Sequence, residues 1–143
     1  MDLVILIHSA VTWALCGLIW TVQIALYPLF GRTGSESFAD YHAAHMQRIT
    51  FIVGPLMLAE IATAAWLLLV AGVNDFWFVL SLPFLLVNFA STGLVQVPLH
   101  KKLERGFDRD AWMRLTRSNW IRTFSWTARA VLVGIWLAGM LDG

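Results

Sequence analysis

From Leu3 to Phe30 the chain carries no Asp, Glu, Lys or Arg, and the same holds from Phe76 to Leu99. Two further runs are almost as apolar. Glu60 is the only charge in Ile49 to Val73, and Arg122 and Arg129 are the only charges in Asn119 to Leu141. Each run can cross a bilayer, which takes about 20 mostly apolar residues. Composition agrees: 59% of the 143 residues are hydrophobic and 13% are charged, against about 25% charged in a soluble domain. Backbone that leaves water must bond to itself, so apolar spans of this length fold as helices. The expected fold is all-α, a single integral-membrane domain over residues 1–143 built as an up-and-down four-helix bundle.

All ten Lys and Arg lie in or beside two connections, residues 31–48 and 100–118, or in the helices leading from them. The opposite end carries only Asp2, Asp75 and Asp142. Cationic loops stay in the cytoplasm, so both termini are expected outside and both longer loops inside, in a multi-pass protein of the cell inner (plasma) membrane. The Met-Asp-Leu start lacks a basic region and the first run is too long for a signal-peptide core, so that run is expected to be a retained helix. A lone Cys16 excludes an intrachain disulfide and a CxxC motif. No Gly-rich phosphate loop, repeat or second domain is present. The basic face of Lys101, Lys102, Arg105, Arg109, Arg114 and Arg117 suits anionic lipid. Interleaved Glu104, Asp108 and Asp110 argue against nucleic acid. A homo-oligomer is compatible with the chain.

Local signals divide the spans. Ser37, with Asp40 three residues on, is expected to cap a helix starting near Phe38, and Pro55 to kink it. The short AGVND turn predicts that the second and third helices pack as antiparallel neighbours. After a turn at Gly106, an amphipathic helix should rest Trp112 and Leu115 in the interface and continue into the fourth span. There Ala130, Gly134 and Ala138 make a small-xxx-small series suited to close helix contact. Trp20, Trp66, Trp77 and Trp120 lie near helix ends, as in aromatic belts.

The polar residues within the spans carry the functional signal. In NFASTGLVQVPLHKK, Asn88, Thr92, Gln96 and His100 recur every four residues and drift by about 120° around a helix. Lipid offers these groups no partner, so the stripe should face the other helices or a wet cavity. Asn119, Arg122, Trp126 and Arg129 form a matching stripe within about 80°. The second helix adds His42, His45 and Glu60; the first adds Gln23 and Tyr27 near its inner end and an isolated His8 near the outer. Glu60, Arg129 and Asn88 fall at one depth, about 15 Å from the basic end at 1.5 Å per residue. An unpaired charge there costs at least about 2.5 kcal/mol, which predicts a Glu60–Arg129 ion pair flanked by Asn88. Nearer the basic end His42, His45, His100, Gln96, Tyr27 and Arg122 should converge. Three imidazoles suit a transition metal and two suit haem. Trp126, between two arginines, could line a pocket for a flat lipophilic ligand.

The stretches VPLHKKL and WMRLTRSNWIRTFSWTARAVLVG resemble the anthrone-oxygenase-like family of small four-helix membrane proteins. Pro98 and Leu103 match its Pro-x-Asn-x-x-Leu-like segment, and Trp112, Asn119, Trp120 and Arg122 match the Trp-containing stretch leading to an Arg; YPLF is compatible. His100 stands where that family tends to have Asn. The resemblance implies oxygenation of a polycyclic aromatic substrate. A looser likeness, to the small bacterial membrane protoporphyrinogen oxidase, implies membrane histidines and haem.

Three function classes follow. In the first, an oxidoreductase or oxygenase-like protein takes a lipophilic aromatic or quinone-like molecule. There His100 or His45 moves protons, Arg122 and Arg129 hold substrate oxygens, and Gln96, Trp126, Glu60, Asn88 and Tyr27 complete the binding site. In the second, His42, His45 and His100 bind haem or a metal. In the third, the polar stripes only hold a non-catalytic assembly or transporter subunit in register.

Overall fold

The computed structural model describes residues 1–34 and 36–141; Ser35 in the first connection, Asp142 of the acidic end, and Gly143 lie outside it. Four helices, α1 (Asp2–Phe30), α2 (Phe38–Leu69), α3 (Phe76–Leu103) and α4 (Arg109–Leu141), are each long and apolar enough to cross a membrane. No strand occurs among the described residues.

The helix starts follow from side chains. Asp75 opens α3 by accepting from the Trp77 and Phe78 N–H groups at 2.8 and 3.3 Å. Asp108 opens α4 by accepting from the Ala111 N–H at 2.8 Å. The Lys102 ammonium, 2.7 Å from Asp108, and that N–H hold the Asp108 carboxyl below the usual carboxylate range. Ser37 precedes α2 but makes no capping bond, contrary to expectation. Its backbone is already helical, at φ −99° and ψ −3°, whereas a capping side chain projects from an extended backbone. At the other end Gly72, with φ +66°, lets the Val73 N–H turn back onto the Leu67 carbonyl. α2 continues through Pro55.

α1 and α3 each contain one π turn, Val22–Leu26 and Thr92–Gln96. The cause is the same in both. Pro28 and Pro98 cannot donate to the carbonyls of Ile24 and Leu94, four residues back, and their rings crowd those carbonyls. The backbone widens instead, and the Tyr27 and Val97 N–H groups bond to Val22 and Thr92 five residues earlier. One extra residue per turn takes back about 100° of rotation. The drift from Asn88 to His100 therefore falls from about 120° to about 20°, and Asn88, Gln96 and His100 are all buried.

α1 packs against α2 and α4, and α4 packs against α3. α2 and α3 do not pack closely, which corrects the expectation from the AGVND turn. A short turn sets the direction of the returning helix but not its distance. Two other expectations change. Leu115 is fully buried, and the half-buried Trp112 donates its indole N–H to the Tyr27 carbonyl at 2.7 Å instead of resting in an interface. Gly31 makes room for that ring: a Cβ there would sit 2.5 Å from Trp112 Cζ2. In α4, Ala130 is buried and Gly134 faces the Trp13 ring, but Ala138 is exposed. Val133 and Trp136, on the same helix, pack with Ile5, Leu67 and Phe78.

Candidate functional site

The polar residues divide into two centres. Farther from the basic end, Arg129 donates Nε–H to Glu60 Oε1 at 2.7 Å, both side chains having no exposure. Its Nη1 reaches the Ser81 carbonyl and hydroxyl at 3.0 and 2.9 Å, and its Nη2 reaches His8 Nε2 at 3.1 Å. Thr12 and the Trp126 indole donate to the two Glu60 oxygens at 3.2 and 3.3 Å. An arginine only donates, so His8 Nε2 accepts, and its Nδ1–H points to Thr63 Oγ1 at 2.8 Å. His8 is thus a neutral imidazole wired into the centre, not an isolated residue. All four helices meet in this clasp, its charges cancel, and its polar atoms are satisfied. Asn88, expected beside the pair, is fully buried, but neither amide atom bonds to it or to any other protein group. The shorter Ser81, two turns away on α3, takes that place.

The second centre surrounds a cavity of about 240 Å³ nearer the basic end. Tyr27, His45, Gln96, His100, Arg122 and Trp126 line its polar wall; Ile19, Ile49, Val53 and Met57 line its apolar one. Arg122 is 6% exposed, yet among the described residues no carboxylate lies within ion-pairing distance of it. Its Nη1 donates to Asn119 Oδ1 at 3.2 Å, its guanidinium lies 5.2 Å from the Trp126 ring, and its Nε–H has no partner. Asn119 is fixed in turn by donating to Gln23 Oε1 at 2.9 Å, while Gln23 donates to the Thr116 carbonyl at 3.2 Å. Gln96 donates to Ser118 Oγ at 3.0 Å, and the Ser118 hydroxyl donates to the Leu115 carbonyl at 3.3 Å. That chain orients the amide and leaves Gln96 Oε1 without a partner. Two residues of the cavity wall therefore carry an unused donor and an unused acceptor, each atom buried within the wall.

A line of exchangeable protons leaves the same pocket. Tyr27 Oη lies 3.0 Å from His100 Nε2, and His100 Nδ1 lies 3.0 Å from His42 Nε2. With Tyr27 donating, His100 donates onward to His42, whose remaining Nδ1–H is unpartnered. His45 lines the cavity and packs its ring 5.0 Å from Phe30, outside this chain.

The sequence-predicted residues thus part company. Tyr27, His45, Gln96, His100, Arg122 and Trp126 share the cavity; Glu60 and Arg129 belong to the clasp, reached through Trp126; His42 stands behind His100. The three histidines do not converge as ligands, because His100 spends both ring nitrogens on its neighbours. Among the described residues no group of three His, Cys, Asp or Glu is placed to hold an ion. Thr12, Thr63, Ser81 and Ser118 were missed. Their only signal is a hydroxyl within or beside an apolar run.

No family model, curated protein or solved structure matches this chain. The site therefore rests on its own geometry.

Proposed function

We propose that this chain is a multi-pass inner-membrane protein, basic end in the cytoplasm, that binds a flat lipophilic molecule through an acidic or quinone-like oxygen and exchanges that oxygen's proton. The observation that carries this reading is Arg122, a buried guanidinium without a carboxylate on the polar wall of the cavity. Arg122 lies about 10 Å nearer the basic end than Arg129, but a buried charge without a counter-ion is costly there too. An anionic oxygen beside it would offset that cost. Trp126 and the apolar wall would hold an aromatic body, and Gln96 Oε1 would accept from a neighbouring hydroxyl.

The proton inventory balances without charging an imidazole. The ligand hydroxyl gives its proton to Tyr27 as Tyr27 gives its own to His100 Nε2. His100 Nδ1–H passes to His42 Nε2, and His42, whose Nδ1–H is buried without a partner, would have to open to water on the basic side to hand on its proton. Both rings exchange tautomers and the oxyanion remains at Arg122. Such an anion is the readily oxidised form of a phenol or enol. An oxidoreductase or oxygenase-like reaction would start from it, with dioxygen or another acceptor as second substrate. The haem or metal reading is less favoured, since His100 would have to give up its bond to Tyr27 or to His42.

The test is a spectrophotometric titration of a hydroxyanthraquinone with purified protein. The bound dye should ionise about 1–3 pH units below its value in detergent alone, as a nearby cation dictates, and Arg122→Gln should abolish the shift. Binding of the neutral dye alone, or a shift that survives Arg122→Gln, overturns the proposal.

A further inference from the structure

The cavity has an apolar neighbour with which it shares no lining residue. Farther from the basic end, a second apolar space of about 240 Å³ lies between α2 and α3, lined by Ile61, Ala64, Ala65, Leu68, Leu82, Leu85 and Leu86. On α2 the linings of the two spaces form one uninterrupted series at three- and four-residue steps: His45, Ile49, Val53, Met57, Ile61 and Leu68, with Ala64 between the last two. On α3 the linings are Leu82, Leu85 and Leu86 for one space and Thr92, Gln96 and His100 for the other, with Phe89 packed between them. The α2 series rises about 35 Å, comparable with the roughly 30 Å apolar core of a bilayer. This is the side on which α2 and α3 fail to pack, and Thr50 and Val97 are exposed at the cavity wall there.

We infer that the ligand carries a long aliphatic chain, and that this chain lies in the α2–α3 groove while the oxygen-bearing head sits at Arg122. The inference rests on the function proposed above and adds the ligand's class: an aromatic or quinone-like head on a single hydrocarbon tail. The head is placed by the only unpaired guanidinium among the described buried residues. From Met57 to Leu68 the groove then offers about 16 Å of apolar wall. Ala64 and Ala65 give it depth where larger residues would close it. Lipid is as apolar as the groove, so selection here comes from shape and close packing, not from transfer out of water.

Two hydroxyanthraquinones, one bearing a long alkyl chain with a terminal diazirine and one without a chain, test this in nanodiscs. Ala65 is exposed on the groove's rim, so Ala65→Phe should fold and obstruct only the tail. It should weaken the chain-bearing dye about tenfold, the scale of one steric overlap, and leave the chainless dye unchanged. Photolysis should label residues of the 61–68 and 82–86 segments. Equal effects on both dyes, labelling scattered over other faces, or a dimer whose interface fills the groove overturns the tail assignment while the Arg122-dependent ionisation persists. Loss of that ionisation for both dyes with wild-type protein removes the head-group reading itself, and the tail assignment with it.

Discussion

Arg122 and Arg129 stand about two turns apart on one face of α4, and only Arg129 has a carboxylate. Trp126 lies between them, with Arg122 over its ring and its N–H on Glu60. One helix face therefore carries a neutralised clasp and, two turns away, a buried guanidinium without a counter-ion. The difference assigns the two arginines opposite kinds of work, stability for one and recognition for the other.

Removing one half of the clasp should damage the fold. Glu60→Leu leaves Arg129 buried and uncompensated, a loss of about 3–5 kcal/mol. The double variant Glu60→Leu/Arg129→Leu should recover most of that loss, because no charge is stranded. Thermal unfolding in one detergent compares them; a double variant no more stable than the single one contradicts the clasp.

Arg122 should behave in the opposite way. Arg122→Leu removes an unpaired charge, so the unfolding midpoint should hold or rise by about 2–4 °C per kcal/mol gained while dye ionisation disappears. A large fall in the midpoint would make Arg122 a structural residue.

The tyrosine hydroxyl should matter for the rate of proton exchange more than for binding. Tyr27→Phe keeps the ring but breaks the line to His100, and proton release after rapid mixing with dye should slow about 10²–10⁴-fold. A pH-indicator trace at the wild-type rate would show that protons leave by another route.

Two glycines give a paired test of packing. Gly31→Ala puts a methyl against Trp112 and should cost about 1–3 kcal/mol. Gly93→Ala meets nothing within 4 Å and should be nearly neutral. Unfolding curves of the two variants should separate clearly; coincident curves would remove Trp112 from the neck of α1.

Much of the site was legible because helical spacing constrains faces. Glu60 and Arg129 were matched by depth alone, and the Arg122–Trp126 relation follows from four residues of separation. Asn88 misled because depth says nothing of azimuth: it shares the level of the ion pair but not its direction. The histidines misled for a related reason. Spacing put His42 and His45 on adjoining parts of α2, but their neighbours decided that one would bond to His100 and the other would pack on Phe30.

The sequence by itself determined four apolar helices, the polar stripes within them and the end at which the cations gather. These are properties of single segments, set by hydropathy and the helical period. Only the tertiary structure decided which arginine is paired, how π turns before two prolines realign the stripes, and that α2 and α3 stand apart to leave a cleft. Those outcomes depend on the rotation and separation of whole helices, which arise from contacts between segments far apart in the chain.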